Sequence, residues 1–294
     1  MRTNQPAGVA KMVAAMTLSG TIGVLVTEVD LAPHQIVFFR CLFGAATLGL
    51  YCWAMGLFDK AVLAPRTLAL VVGGGVCIVA DWVVLFAAFT HLGIGLSTII
   101  LHLQPFFVVL ITAAAARERV PFDTLAWIGF AFAGLVMATG EVSVIGGSAV
   151  AGVLLALMAA LLYAGATVCS RAVKGVAPEV TALVHVALGT VALAPFAGLA
   201  GVGGLPAGDW GLLATLGVVH TGLMYALLYG AYQKLTTAAV AVLAFVYPAV
   251  AIAVDFLAYG RVLSPVQVAG LLAILLAGTA VNRGWRFGRR RVAA

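Results

Sequence analysis

The sequence predicts an all-α membrane protein whose ten transmembrane helices form two inverted five-helix repeats. Three observations predict it: a large excess of apolar over charged residues, ten apolar stretches of spanning length, and one offset that lays the second half of the chain on the first. Of 294 residues, 64% are apolar and 9% charged, against about 45–50% and about 25% in a soluble domain. Such a chain has too few polar groups to coat a soluble particle and too much apolar surface to stay disordered. The net charge of +6 does not mark a nucleic-acid binder, because the basic residues do not gather on a polar face. Cys41, Cys52, Cys77 and Cys169 lie inside apolar runs with no CxxC or Cys/His spacing. They read as small hydrophobes, and neither a metal nor another cofactor is expected.

A membrane helix takes about 20 predominantly apolar residues. Polar or turn-forming breaks delimit ten such stretches: 9–28, 34–56, 67–90, 93–115, 122–140, 149–170, 178–200, 209–232, 236–258 and 265–283. None alternates apolar and polar residues at period two, which excludes a barrel. The longest connectors, 56–66, 140–148 and 200–208, are rich in Gly, Pro or charge and leave no room for a soluble domain. Arg2 and Lys11 ahead of an apolar run imitate a signal peptide, but no A-x-A-like cleavage site follows and the next span begins at once.

Basic residues set the orientation. With the N-terminus in the cytoplasm, the inner segments hold Arg2, Lys11, Lys60, Arg66, Arg117, Arg119, Arg171, Lys174 and Lys234, and the tail adds Arg283, Arg286, Arg289, Arg290 and Arg291. The outer loops carry Arg261 beside Glu28, Asp30, Glu141 and Asp209, and Arg40 lies within a span. Both termini are therefore expected on the cytoplasmic side of an inner membrane. The tail cluster RGWRFGRRR reads as a topology anchor at the anionic leaflet rather than a lipid-binding switch.

Shifting the chain by 143 residues lays LFAAFTHL (85–92) on LYGAYQKL (228–235), Pro105 on Pro248 and Glu118 on Arg261. The offset divides the chain into a first repeat, 1–143, and a second, 144–294, which carries the basic tail. Five spans per repeat is an odd number, so the second repeat sits upside down relative to the first. Inverted halves are the architecture of alternating-access carriers, with the site near the midplane between them.

With FFRCLFGA in the second span, LHLQPFFVVLITAAAARERV running toward the fifth, and LAFVYPAVAIAVDFLAYGRVLSPVQ near the end, the chain resembles the EamA-type carriers of the drug/metabolite transporter superfamily. The resemblance covers nearly the whole chain, and in both halves a proline precedes a charged residue by thirteen positions. The family pattern has Gly-Glu after spans four and nine. Glu118 matches the first, while Arg261 occupies the second, so no role is carried over from that second glutamate. The resemblance implies export of amino acids or similar small metabolites.

Charge inside the bilayer costs about 2.5–3.5 kcal/mol on insertion scales, so an intramembrane ionisable group marks function by default. Asp81, in the middle of CIVADWVVLF, is the leading candidate. It reads as a carboxylate that binds a substrate ammonium or carries a proton, against pairing with Arg40 or a histidine to hold helices together. His220 in the eighth span lies four residues before Met224, the counterpart of Asp81, so pseudo-symmetry aims both at one space. It reads as a proton-coupling group or, equally, as a neutral histidine bonded to a carbonyl.

Arg40 suits a substrate carboxylate, although pairing with Asp255 or Glu28 is the commoner arrangement, and Asp255 reads as a gate or structural partner. His102 and Gln104 precede Pro105, which breaks the helical ladder and can aim polar side chains inward; Tyr247-Pro248 is the inverted counterpart. Trp82, Phe86, Tyr163, Tyr225, Tyr229 and Tyr232 suit an aromatic lining, against helix packing and an interfacial belt. His185 reads as a packed histidine. Gly73-Gly74-Gly75 lacks the Lys-Ser/Thr of a phosphate loop and reads as close helix packing. The Ala269, Ala273, Ala277 ladder is a small-residue face for an interior contact or a dimer.

The expected activity is thus secondary transport of a small organic molecule, an amino acid or related zwitterion, outward across the cytoplasmic membrane. The partners are that substrate and the lipid bilayer, with proton coupling open, no nucleic acid, and a monomer or homodimer. A polyspecific cation or drug efflux carrier is the alternative; it calls for a midplane carboxylate in the first span, which has none before Glu28. A membrane-embedded enzyme ranks behind both, because no G-x-S-x-G, H-E-x-x-H or dense Asp motif is present.

Overall fold

The computed structural model describes residues 5–139, 149–198, 202–259 and 264–285. Among them every regular element is helical: α1 Gln5–Thr27, α2 Pro33–Ala54, α3 Pro65–Leu101, α4 Gln104–Ala116, α5 Phe122–Thr139, α6 Ala149–Ala172, α7 Pro178–Leu193, α8 Ala207–Gly217, α9 Met224–Tyr232, α10 Thr237–Leu243, α11 Val246–Tyr259 and α12 Pro265–Asn282, with short 3₁₀ turns and one π-turn. Eight stretches are long and apolar enough to cross a membrane, and Phe122–Ala138 and Pro265–Val281 are two shorter apolar helices. Together they make the ten spans. Large apolar side chains such as Leu50, Trp53, Leu154 and Leu272 are exposed on the outside of the bundle. Lipid, not water, is the solvent that tolerates such a surface.

Local chemistry starts and stops the helices where the spans begin and end. Proline stands in the first turn of α2, α3, α4, α7 and α12, where its missing N–H costs no bond. Ser264 and Gln267 form a reciprocal capping box on α12, and the Thr236 hydroxyl accepts from Ala239 N at the start of α10. Arg117 closes α4 in the left-handed conformation, with φ 56°.

Three spans are not simple rods. The fourth breaks after Leu101, with α4 resuming at Gln104, and the ninth breaks between Leu243 and Val246. The offset of 143 carries one break onto the other. The eighth span consists of α8 and α9 joined by a π-turn, Val218–Leu223. The turn linking spans three and four, 93–96, is itself helical.

The helix neighbours obey the repeat. Span three packs on six and span eight on one; span four packs on six and span nine on one; span three packs on seven and span eight on two. The pairs two–seven, four–nine and five–ten each map onto themselves under exchange of the halves. A pseudo-twofold relation therefore runs through the bundle centre. Glycine permits the closest crossings: a Cβ on Gly74 would meet His185 Cε1 at 2.9 Å, and one on its counterpart Gly217 would collide with Phe43 Cβ. A Cβ on Gly73, by contrast, would meet nothing within 4 Å. On α12, Ala277 is buried and Ala273 faces Gly134 of α5, so these two members of the alanine ladder make an interior contact, whereas Ala269 is exposed.

Candidate functional site

A cavity of about 360 Å³ opens between the halves. Its α1 wall is Met16, Ser19, Ile22, Gly23 and Val26, and its α2 wall Val37, Arg40 and Cys41. These lie in the second half of α1 and the first half of α2, so the cavity occupies the side of the bundle toward which α1 ends. Spans three and four add Asp81, Trp82, Phe86, His102 and Gln104; the second half adds Tyr163, Thr221, Tyr225 and Tyr247.

Asp81 is 3% exposed, and its Oδ1 has no hydrogen-bond partner among the described residues. A buried carboxylate oxygen without a donor is costly, by about 1–3 kcal/mol or more for a charged group. Asp81 as a residue belongs to the cavity wall, although Oδ1 itself is buried.

Arg40 is fixed by the π-turn. The extra residue of that turn lets the Thr221 hydroxyl donate to Leu216 O, five residues back, at 2.9 Å. The Thr221 hydroxyl oxygen in turn accepts from Arg40 Nε at 3.3 Å. Gly217, just before the turn, lets α2 approach at Phe43, and Gly222, within it, stands where a Cβ would meet Thr47 Cγ2 at 3.2 Å. π-turns are rare insertions that cluster at functional sites. Asp255 lies in α11, but its side chain is outside the described residues, as are Arg261, Glu141 and the tail beyond Trp285.

The two helix breaks meet at the cavity. The His102 ring stacks on Tyr247, centroids 5.5 Å apart and planes at 8°, and His102 Nδ1 donates to Thr98 O at 2.6 Å. Gln104 Nε2 donates to Thr167 Oγ1 at 3.2 Å, and Thr167 bonds back to Tyr163 O. Each polar side chain freed by a break is thus held in place.

Of the residues singled out in the sequence, Arg40, Asp81, Trp82, Phe86, His102, Gln104, Tyr163 and Tyr225 line this one cavity. His220 and Tyr229 lie outside the lining. His220 Nε2 sits 3.0 Å from Thr21 Oγ1 on α1, and its Nδ1 sits 3.4 Å from Thr215 O in its own helix. The Tyr229 hydroxyl and His185 Nδ1 share a 2.7 Å hydrogen bond in the core, so His185 is a packed histidine. Tyr225, Tyr229 and Tyr232 follow one another with ring centroids 5.5 and 5.6 Å apart, filling the bundle beyond the cavity floor. At that end Arg171 of α6 donates to Tyr232 O, Leu235 O and Thr237 Oγ1, tying down the α9–α10 turn. Sequence reasoning missed Ser19, Thr221 and the whole α1 wall. The one available signal was the Gly217–Gly222 spacing around Thr221.

The pattern of the EamA-like transporter family matches residues 6–140 and again 150–283. The chain is 29% identical over 292 residues to an uncharacterized transporter of Bacillus subtilis, YxxF, covering 97% of this chain and 92% of that one. It is 25% identical over 281 residues to an uncharacterized transporter of Archaeoglobus fulgidus, covering 95% and 96% of the two chains. A solved crystal structure superposes with a TM-score of 0.78 at 18% identity over 96% of this chain and 98% of that one, a likeness of fold.

Proposed function

We propose that this chain, which belongs to the EamA-like transporter family, exports an amino acid or closely related zwitterion by alternating access around the central cavity. Membership makes it a multi-pass membrane transporter of a small molecule and not an enzyme. The finer reading is carried by one observation: a buried carboxylate, Asp81, with an unpartnered oxygen lines the same cavity as the guanidinium of Arg40. In this reading Asp81 receives the substrate ammonium. Arg40, steadied through Nε by Thr221, presents its terminal nitrogens to the carboxylate. Trp82, Phe86, Tyr225 and the His102–Tyr247 stack enclose the apolar side chain. The two halves, 1–143 and 144–294, rock against one another, exposing the cavity first to the cytoplasm and then outside, with both termini cytoplasmic.

The test is counterflow in proteoliposomes loaded with single amino acids, at two pH values. Uptake of a labelled zwitterion is expected only against a zwitterionic lumenal substrate, and Arg40→Gln should weaken it while sparing protein recovery. Counterflow of lipophilic cations that survives Arg40→Gln would replace this reading with cation efflux. A rate equal at both pH values identifies facilitated exchange, and a rate driven by an imposed pH gradient identifies proton coupling.

A further inference from the structure

A second cavity, of about 340 Å³, lies on the flank of the bundle behind the π-turn. Val218, Leu223 and Leu227 form its apolar wall on α8–α9, and Lys11, Tyr51 and Glu179 its polar end. The polar end lies toward the membrane face where α1 begins, α2 ends and α7 begins, because Lys11 is in the second turn of α1, Tyr51 in the last turn of α2 and Glu179 in the first turn of α7. The groove faces outward: on its apolar wall Val218 is 43% exposed and Leu223 50%, and at its polar end Tyr51 is 46% exposed. In a membrane protein such exposure is to lipid. The groove is therefore entered from the bilayer and is separate from the central cavity, with which it shares no lining residue.

We infer that this groove holds one aminophospholipid, with an acyl chain along Val218, Leu223 and Leu227 and a zwitterionic headgroup between Lys11 and Glu179. Charge complementarity selects the occupant. The Lys11 ammonium and the Tyr51 hydroxyl are donors suited to a phosphate. The Glu179 carboxylate is an acceptor suited to a primary ammonium. A purely anionic headgroup would satisfy Lys11 but meet Glu179 with like charge, and a quaternary ammonium has no N–H to give Glu179. The lipid lies against the outer side of the same π-turn whose inner side carries Thr221, the residue that holds Arg40. Its headgroup chemistry is thereby set beside the transport site without entering it.

Native mass spectrometry of the full chain, offered phosphatidylethanolamine, phosphatidylcholine and phosphatidylglycerol with identical acyl chains, tests this. Phosphatidylethanolamine adducts should exceed the others by about threefold, the size of effect one partly exposed ion pair gives. Glu179→Gln should remove that preference while retaining phosphatidylglycerol, and Lys11→Gln should lower retention of all three phosphate lipids. Leu223→Trp, which fills the groove from its lipid-facing wall and leaves both charges intact, should lower all adducts together. Equal retention of the three lipids by the unaltered chain, or an ethanolamine preference that persists in Glu179→Gln, overturns the assignment.

Discussion

Under the offset of 143, Arg40 falls on Leu183, Asp81 on Met224, His102 on Phe245 and Gln104 on Tyr247. The two halves thus share helix order, neighbours and the breaks in spans four and nine, yet every strongly polar cavity residue of the first half has an apolar or aromatic counterpart in the second. The aromatic positions behave differently: Trp82 falls on Tyr225, and both line the cavity. The frame is nearly symmetric and the lining is not. A symmetric frame would supply the two equivalent tilted states, one open to each side, that the proposed alternating access requires. Under the proposed reading, an asymmetric lining would give a bound zwitterion one orientation, with its charged end against the first half.

The comparison is sharpest at Asp81. Asp81→Asn should lower counterflow about 10- to 100-fold, the loss expected for one charge-assisted hydrogen bond, while the variant elutes and melts like the parent. Parent-like counterflow in that variant would dissolve the division of labour between the halves. The next largest effect should fall on the paired glycines. Gly217→Ala should destabilise by about 1–3 kcal/mol, as overpacking does, because its Cβ meets the Cβ of Phe43 and the α2 backbone cannot retreat from it. Gly74→Ala should cost less, since it meets a ring edge of His185, and Gly73→Ala should stabilise by about 0.5–1 kcal/mol. Melting temperatures in detergent rank the three, and equal shifts at 74 and 217 would mean that the halves pack alike.

Thr221→Val should weaken substrate binding about fivefold by releasing Arg40, the scale of one ordinary hydrogen bond, whereas its counterpart Ile78→Val should leave affinity unchanged. Binding isotherms on the purified variants separate the two. The smallest effect is expected at Arg117, whose counterpart is Gly260. Arg117→Gly should gain about 0.5–1 kcal/mol, the left-handed penalty less the added entropy of the unfolded chain, seen as a modest rise in melting temperature.

Most of the frame was legible because hydropathy and proline act locally. The ten spans follow from composition, and the breaks in spans four and nine lie just before Pro105 and Pro248, where the ring removes a bond from the helical ladder. The repeat survived as an offset because interior positions such as Leu85, Ala88 and Leu92 keep their sizes. Asp81 and Arg40 stood out because charge is expensive in lipid. The α1 wall was silent, since Met16, Ile22 and Val26 would look the same packed or facing a cavity. The π-turn was also hidden: its extra residue is stabilised by Thr221 bonding back to Leu216 and by the approach of α2, which are tertiary facts. Within that turn His220 bonds to Thr21 of α1, one residue before Thr221 on the cavity wall.

Arg171 meets the α9–α10 turn through two backbone carbonyls and one hydroxyl, all neutral acceptors. A partner of that kind is released at little electrostatic cost provided solvent can replace it, and at high cost if it cannot. Parting α6 from this turn is therefore a step that hydration must accompany. Amide deuterium uptake across residues 233–239 becomes a clock for how often the far side of the carrier admits water.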